Sequence, residues 1–280
     1  MKTITKSSEL KDFCNRAANE EYITIDTEFL RERTYFSKLC LVQLATPGCE
    51  SENAVLVDTL VNDLDLSPLY DLFQNQNIVK VFHAARQDLE IFYLASGIFP
   101  YPLFDTQIAA MVCGFGDQVS YETLVRQLAK KTLDKSSRFT DWSRRPLTNA
   151  QKKYALADVT HLRVIYEILS EKLMKSGRLK WVDDELKNLI SPETYNIDPK
   201  NSWRRLKTKS NSRRFLGLVA QLAEFREIFA QSKNIPRNRV IKDDALLELA
   251  SIKPKNLDEL SSSRLLLREA RKGEIASGLL

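Results

Sequence analysis

Two carboxylates, Asp26 and Glu28, stand at the end of the apolar segment 22–29. The β-branched run before them predicts a buried strand, and residues i and i+2 of a strand point to the same face, so the two acids should lie side by side. Such neighbours repel and raise each other's pKa unless a cation lies between them. A divalent metal with oxygen ligands is one such cation. The alternative is a strand-end Asp that starts a turn beside an unrelated exposed Glu.

Two later segments carry residues of related chemistry. Asp88 stands at the start of a predicted helix, where an acid is also favoured by the helix dipole alone. Tyr154 and Asp158 are four residues apart on another predicted helix, so they share one face, one turn apart. If buried, they need polar partners, and the alternative is a surface Tyr–Asp pair. Spacing alone leaves both interpretations open.

Taken together, the four acids and the tyrosine resemble the DEDD exonuclease superfamily, in the subclass with a tyrosine in its third motif. Within it, the closest resemblance is to the ribonuclease D family, over residues 20–175. The matching words are DTEF (26–29), RTYF (33–36), HAARQDLE (83–90), FDTQ (104–107), LDKS (133–136), DW (141–142) and YALADV (154–159).

The resemblance implies a ribonuclease-H-like α/β fold and stepwise hydrolysis of RNA from its 3′ end to nucleoside 5′-monophosphates. Phosphodiester hydrolysis needs an activated water and charge neutralisation, which two divalent ions about 3.5–4 Å apart can supply. By likeness to the family, Asp26 bridges both ions, Glu28 and Asp158 complete the site of the nucleophile's ion, Asp88 holds the second ion, and Tyr154 aims the water. The all-oxygen set favours Mg²⁺ or Mn²⁺ over Zn²⁺.

Further residues are predicted to contact the nucleic acid. Basic side chains around Trp142, including Arg144 and Arg145, suit phosphate contacts with base stacking, and a solvated loop is the alternative. Core packing is the alternative for Phe29 and His83, whereas Asp105 is predicted to cap a helix. The candidate substrate-binding residues are Phe29, Tyr35, His83, Lys135, Arg138 and Trp142.

The elements that must position these residues follow from periodicity and turn signals. Strands followed by mixed strands and helices predict a mixed sheet flanked by helices, in which the first three strands form an antiparallel meander. The predicted strands are 22–26, 38–45, 54–58 and 78–83. The predicted helices are 67–75, 86–96, 106–113, 120–130 and 148–176.

The composition changes near residue 190, where Pro192 and Pro199 interrupt the helical pattern and a basic stretch follows. We therefore predict an exonuclease domain over 1–190, a basic linker over 191–211 and a small all-α domain over 212–280. The last segment resembles an HRDC domain, a helical nucleic-acid-binding module of which family members usually carry two. Its predicted helices are 213–232, 243–251, 256–260 and 263–277.

Charge and composition restrict the partners. The chain has a net charge of +5, but residues 201–280 alone carry +8, so this segment is predicted to bind a polyanion, with a solvated basic surface as the alternative. No signal segment and no apolar run of spanning length occur, which predicts a cytoplasmic protein without a membrane partner, and we expect a monomer. Four unpaired cysteines should be reduced, and two histidines exclude a multi-histidine metal site.

Three functions compete on these grounds. The leading hypothesis is a metal-dependent 3′–5′ exoribonuclease that trims tRNA precursors and other structured RNA. A 3′–5′ exonuclease acting on DNA is the alternative within the enzyme class, because contacts to the 2′-OH cannot be located from the sequence. A non-catalytic nucleic-acid-binding module would be expected to lack at least one acid, and all four are present.

Overall fold

The computed structural model describes residues 1–48, 53–134, 136–208, 210 and 212–280. Its backbone contacts divide these residues into two units, of which the first comprises Met1–Leu30 and Lys38–Tyr195 and the second comprises Arg31–Ser37 and Asn196–Leu280. The predicted domain boundaries differ from this division chiefly at 31–37, a short segment that belongs to the second unit although it follows the first candidate acids in sequence. Cys49 and Lys135 lie outside the described residues.

A six-stranded sheet forms the centre of the first unit, in the order β1-β4-β3-β2-β5-β6. Pairs β2–β3 and β3–β4 are antiparallel and the other pairs are parallel, which confirms the mixed sheet and the meander. Strands β1 and β6 were not predicted, because three residues are too few to show an alternation. The strands are β1 (Lys2–Ile4), β2 (Tyr22–Leu30), β3 (Lys38–Ala45), β4 (Ala54–Val57), β5 (Val79–Phe82) and β6 (Leu103–Asp105).

Helices cover the sheet. Those predicted at 67–75, 86–96, 106–113 and 148–176 are confirmed to within a residue at each end, whereas 120–130 divides into a short α-helix and the π-helical turn Val125–Ala129. Helices α1 and α7 were not predicted. The helices of the first unit are α1 (Ser7–Ala17), α2 (Ser67–Gln74), α3 (Arg86–Ser96), α4 (Thr106–Val112), α5 (Tyr121–Leu124), α6 (Asn149–Ser176) and α7 (Leu179–Leu189).

The core of the first unit lies between the central strands and the long helix α6. Ile23, Ile25 and Val81 are fully buried and belong to the same apolar cluster as Leu162 and Ile165 of α6. Burial of each such side chain contributes about 1.5–3 kcal/mol. The helix starts at a capping box, in which the Gln151 backbone N–H donates to the Thr148 hydroxyl and the Thr148 N–H donates to the Gln151 side chain. The central strands and α6 therefore pack against each other as two adjacent layers.

The second unit is helical around its own apolar cluster. The helix predicted at 263–277 is wrong in its first half: only the 3₁₀ turn Arg268–Arg271 and α12 form. Gly273 has a φ of +68° at the start of α12, which interrupts a continuous helix. Arg271 instead donates to the carbonyls of Ser261, Ser263 and Leu266 in the intervening loop. The helices are α8 (Arg213–Ser232), α9 (Arg237–Val240), α10 (Asp243–Ile252), α11 (Leu257–Ser261) and α12 (Gly273–Leu279), preceded by the 3₁₀ turn Pro199–Arg205.

Two minor expectations concern thiols and membranes. Cys14, Cys40 and Cys113 are free thiols, as predicted, and the first two are buried. Across the described part of the chain, no helix combines the length and the apolarity that crossing a bilayer requires.

Candidate active site

Three of the predicted acids converge beside the central strand β2. Asp26 and Glu28 lie on β2, and Asp158 is brought to them by α6, so that one carboxylate oxygen of each lies within 4.8 Å of the other two. The ladder between β2 and β3 shifts register directly after Glu28, at Phe29. Such a bulge bends a strand and turns its side chains. The side-by-side arrangement expected of Asp26 and Glu28 is therefore present, with a third acid beside them.

Hydrogen bonds hold α6 against the strand that carries the first two acids. The buried Thr24 hydroxyl lies 2.9 Å from the Val159 carbonyl of α6 and 3.1 Å from the Ala45 carbonyl of β3. The Tyr121 hydroxyl donates to the Asp158 carbonyl over 2.5 Å. Tyr121 was not identified from the sequence, where a tyrosine at the start of a short helix carries no signal of this contact. These bonds fix the backbone on both sides of Asp158.

Burial and mutual repulsion dominate the electrostatics of the three carboxyl groups. Burial, followed by repulsion from Asp158, Asp88 and Glu28, raises the pKa of Asp26 well above its ordinary value. Burial and repulsion from Asp158 and Asp88 raise the pKa of Glu28 to about 9. Burial raises the pKa of Asp158 to about 7, although a hydrogen bond from Tyr154 and the charge of Arg138 act in the opposite direction. A cluster of carboxylate oxygens whose charges repel one another fits a hard divalent ion.

Asp88 lies near this cluster but outside the close group of three. Its carboxylate accepts a hydrogen bond from the Thr27 hydroxyl. Burial raises the pKa of Asp88 to about 7, and its charge in turn raises the pKa of Asp26 and Glu28. Asp88 is thus close enough to both carboxyl groups for its charge to raise their pKa values.

Asp105 shapes the loop that precedes Asp88. Its carboxylate accepts hydrogen bonds from the backbone N–H groups of Ala84 (3.0 Å), Ala85 (2.8 Å) and Gln107 (2.7 Å). The last of these confirms the predicted cap of α4. The first two hold Ala84 at a φ of +56° and set the start of α3. Asp105 therefore positions Asp88 as well as capping its own helix.

We expect Asp105→Ala to destabilise the protein by about 2–4 kcal/mol, because it leaves three backbone N–H donors without their charged acceptor, and the N–H of Ala85 is buried. The free energy of unfolding, measured by urea titration, checks this value. Asp198→Ala is a matched control, since Asp198 caps an exposed 3₁₀ turn, and it should cost about 1 kcal/mol or less. Equal losses for the two variants would contradict the positioning role of Asp105.

Tyr154 reaches the cluster from α6, one turn before Asp158. Its hydroxyl forms a hydrogen bond with the Asp158 carboxylate. Burial and the nearby carboxylates Asp158, Glu28 and Asp26 raise the pKa of Tyr154. The phenol therefore stays protonated at neutral pH and can donate a hydrogen bond.

A cleft of about 730 Å³, part of it open to solvent, lies over these groups. His83 lines it, with its Nδ1 3.0 Å from the Thr106 hydroxyl and its ring 5.4 Å from the Tyr121 ring. Burial lowers the pKa of His83, so the imidazole is neutral at pH 7. The lining residues are Asp26, His83, Ser120, Tyr121, Glu122, Leu133, Arg138, Tyr154, Asp158 and Leu162.

Two of the predicted nucleic-acid contacts near the cleft are wrong. The Trp142 side chain is 2% exposed and packs with Leu147 and Ala155, so its ring has no free face for a base. Two nitrogens of the Arg145 guanidinium, Nε and Nη2, each donate to an oxygen of the Asp58 carboxylate over 2.7 Å. Arg145 also donates to the Cys40 carbonyl. These side chains hold the loop to the sheet. A basic loop around a tryptophan has the same sequence pattern whether its side chains pack against the sheet or form a binding surface.

Tyr35 is also unavailable for stacking. It belongs to the second unit, is 6% exposed, and donates its hydroxyl proton to the buried carboxylate of Glu227. Arg237 binds the same carboxylate through two nitrogens at 2.5 Å and lies over the Tyr35 ring, 4.5 Å from its centroid. Asn234 accepts from the backbone of the segment at Tyr35 and Phe36. The residue is thus part of the core of that unit.

Phe139 is the aromatic residue that the loop exposes instead. Its side chain is 90% exposed, and the guanidinium of Arg138 lies 5.1 Å from the centroid of its ring. Arg138 itself lines the cleft. Sequence reasoning missed Phe139; a phenylalanine among Ser, Arg, Thr and Asp in an otherwise polar loop was the available signal. Phe29 is half-buried just after the bulge.

Known proteins match this chain over nearly its whole length. Residues 1–174 match the family model described as 3′–5′ exonuclease, and residues 215–272 match the HRDC domain model. Ribonuclease D of Jannaschia sp. is 64% identical over 278 residues, which cover 99% of this chain and 72% of the relative. Ribonuclease D of Granulibacter bethesdensis is 50% identical, with coverages of 99% and 69%.

Solved structures extend the comparison. The crystal structure of Escherichia coli RNase D, described as an exoribonuclease involved in structured RNA processing, superimposes with a TM-score of 0.88 at 34% identity, covering 96% of this chain and 71% of that one. The catalytic core of RRP6 from Trypanosoma brucei has a TM-score of 0.75 at 22% identity, with coverages of 99% and 77%. The second likeness concerns the fold alone.

Proposed function

Since the chain belongs to the ribonuclease D family and is a 3′–5′ exoribonuclease, we propose that it trims the 3′ ends of structured RNA such as tRNA precursors by a two-metal mechanism. Exonucleases of this family use divalent metal ions. The observation that carries the proposal is the group of Asp26, Glu28 and Asp158, in which one carboxylate oxygen of each lies within 4.8 Å of the other two. Each turnover would release one nucleoside 5′-monophosphate.

The proposed ligands are all carboxylates. Asp26 would contact both ions, Glu28 and Asp158 would complete one site, and Asp88 would hold the other, through a water molecule because it lies outside the close group. When bound, two divalent ions neutralise charge at the phosphate and acidify the attacking water. Oxygen-only ligands favour Mg²⁺ or Mn²⁺.

The remaining steps fall to side chains of the cleft. Tyr154, kept protonated by its raised pKa, donates its single hydroxyl proton to Asp158, so its oxygen would accept a hydrogen bond from the water that attacks the last phosphodiester. This hydrogen bond would orient the water, and the phenol would not serve as the base. The neutral His83 and the cationic Arg138 line the same cleft, where they can contact the sugar and the phosphate of the terminal nucleotide.

We further propose that Phe139 stacks a base of the RNA at the mouth of the cleft, while Arg138 contacts the adjoining phosphate. An exposed aromatic ring beside a guanidinium is suited to single-stranded nucleic acid, and stacking is worth about 1–3 kcal/mol per base. Phe29, half-buried beside the bulge, can pack against the terminal nucleotide.

Phe139→Ala should raise KM for a single-stranded RNA about 5- to 100-fold, the equivalent of that stacking energy, with kcat changed less than about 3-fold. Steady-state kinetics on an oligonucleotide measures both constants. Trp181→Ala is the matched control, because Trp181 is also an exposed aromatic under an arginine, Arg178, but it does not line the cleft. An unchanged KM for Phe139→Ala, or an equal rise for both variants, would exclude the stacking role.

The second unit supports RNA binding by charge. Residues 201–280 carry 17 Lys and Arg against 9 Asp and Glu, and most of this segment matches the HRDC domain model. A net positive helical module would attract the phosphate backbone without reading its sequence. DNA carries the same phosphates, so charge alone does not distinguish the two polymers.

The test is hydrolysis of 3′-labelled and 5′-labelled forms of one sequence, as RNA and as DNA, with Mg²⁺, Mn²⁺ or EDTA. We expect labelled mononucleotide from the 3′-labelled RNA at the first time points, a descending ladder from the 5′-labelled RNA, and no product with EDTA. Faster degradation of DNA than of RNA would overturn the proposed substrate. Full activity in EDTA would overturn the proposed metals. A precursor tRNA with a 3′ extension, compared with its mature form, tests the structured substrate.

A further inference from the structure

Gln43 is a polar residue that no part of the described fold satisfies. Its side chain is fully buried in the middle of β3, and neither its amide nitrogen nor its amide oxygen has a hydrogen-bond partner among the described residues. A buried carboxamide without partners destabilises a folded protein, so a core position of this kind normally carries an apolar side chain. The presence of a glutamine at this position therefore indicates that its amide gains a hydrogen-bond partner when the site is loaded with metal.

The sheet register places this amide beside the proposed metal ligands. Gln43 is directly opposite Asp26 in the antiparallel pair β2–β3, and directly opposite Leu56 on its other side. Directly opposed residues point to the same face, with Cβ atoms about 4.5–5.5 Å apart. Leu56 packs with Ala155 of α6, so the row is covered by the helix that carries Asp158.

We propose that Gln43 is a positioning residue for the metal site: in the metal-loaded protein its amide N–H donates a hydrogen bond to the Asp26 carboxylate, directly or through one water molecule. The bond fixes the orientation of the carboxylate that faces both ions. Residues that hydrogen-bond a metal ligand without contacting the metal typically change the metal affinity about 10- to 100-fold when they are removed. The inference rests on the proposed metal site.

Gln43→Met tests the role, because methionine keeps the length and the unbranched shape of glutamine and removes both polar atoms. Thr3→Val is the matched control. Thr3 pairs with Leu56 and so lies in the same cross-strand row, two strands beyond Gln43, and its hydroxyl is likewise buried without a partner among the described residues. Mn²⁺ affinity is measured by calorimetry on the metal-free proteins without RNA, and Tm is measured on the same samples.

We expect Gln43→Met to weaken Mn²⁺ binding at least about 10-fold with the metal-free Tm unchanged or raised, and Thr3→Val to leave the affinity unchanged. Gln43→Asn, which keeps a shorter amide, should recover part of the affinity. Mn²⁺ binding by Gln43→Met within 3-fold of the parent overturns the proposal whatever the Tm. If the methionine variant does not fold, Gln43→Leu, which also removes both polar atoms, is judged by the same limit. Failure of the parent itself to bind Mn²⁺ would instead overturn the proposed function.

Discussion

We expect Asp26→Asn to abolish the exonuclease activity, with a loss in kcat of at least about 1,000-fold. Removal of a group that merely supports a metal ligand typically costs about 10- to 100-fold in affinity or activity, so loss of the carboxylate that faces both proposed ions must cost more. The substitution keeps the shape of the side chain. Release of mononucleotide from 3′-labelled RNA under saturating Mn²⁺ measures the effect.

The same substitution should stabilise the metal-free protein. Asp26 is buried among Glu28, Asp88 and Asp158, and its charge repels theirs. We therefore expect the metal-free Tm to rise by a few degrees and the stabilisation by Mn²⁺ to disappear. The exposed Asp12→Asn is the control and should change neither quantity. A variant that keeps the parental rate would show that the site is misplaced.

The pH dependence of stability provides a second signature of the acid cluster. A carboxyl group with a folded pKa above its unfolded value of about 4 destabilises the fold as pH rises from that value to the folded pKa. For Asp158 the window ends at about pH 7, and for Glu28 at about pH 9. The metal-free Tm should therefore fall between pH 5 and pH 9, and fall less steeply in Asp26→Asn.

Tyr154→Phe should lower kcat about 100-fold and leave KM within about 3-fold, because it removes the hydroxyl that orients the attacking water but keeps the ring beside Trp142. Affinity for Mn²⁺ should change little, since the phenol is not a proposed ligand. The raised pKa of Tyr154 means that the parental enzyme shows no loss of kcat from phenol ionisation up to pH 10.

Tyr166→Phe is the control on the same helix. Its hydroxyl bonds to Ser170 and its ring packs against Tyr22 and Phe104, away from the cleft. Tyr166→Phe should keep kcat within about 2-fold while costing about 1 kcal/mol of stability. Equal losses of kcat for the two variants would show that Tyr154 acts through the packing of α6 and not through its hydroxyl.

Local geometry explains why the acids could be predicted from the sequence. The two-residue period of a strand is enough to place Asp26 beside Glu28, and the four-residue spacing on a helix is enough to place Tyr154 over Asp158. The same periodicities predicted β3, β4 and the long helix α6 to within a residue, whereas β2 continues four residues beyond its predicted end. The resemblance of several short segments to one family then connected parts of the sequence that strand and helix periods alone cannot relate.

Exposure is a property of packing between distant elements, and the sequence did not decide it. Trp142 is enclosed and Phe139 is exposed although they are three residues apart in one loop. Tyr35 follows the first acids closely in sequence, yet it packs with Glu227 and Arg237 of the second unit. Each outcome depends on which partner fills the space around the ring.

Side-chain types together with strand and helix periods were therefore enough to predict the candidate ligands, their spacing and the class of chemistry. The packed fold was needed to show which aromatic residue of the loop is exposed, how Asp105 and Tyr121 hold the acids, and that Gln43 lies beside Asp26 without a hydrogen-bond partner among the described residues. A hydrogen bond or an exposed ring face exists only once remote strands and helices are packed.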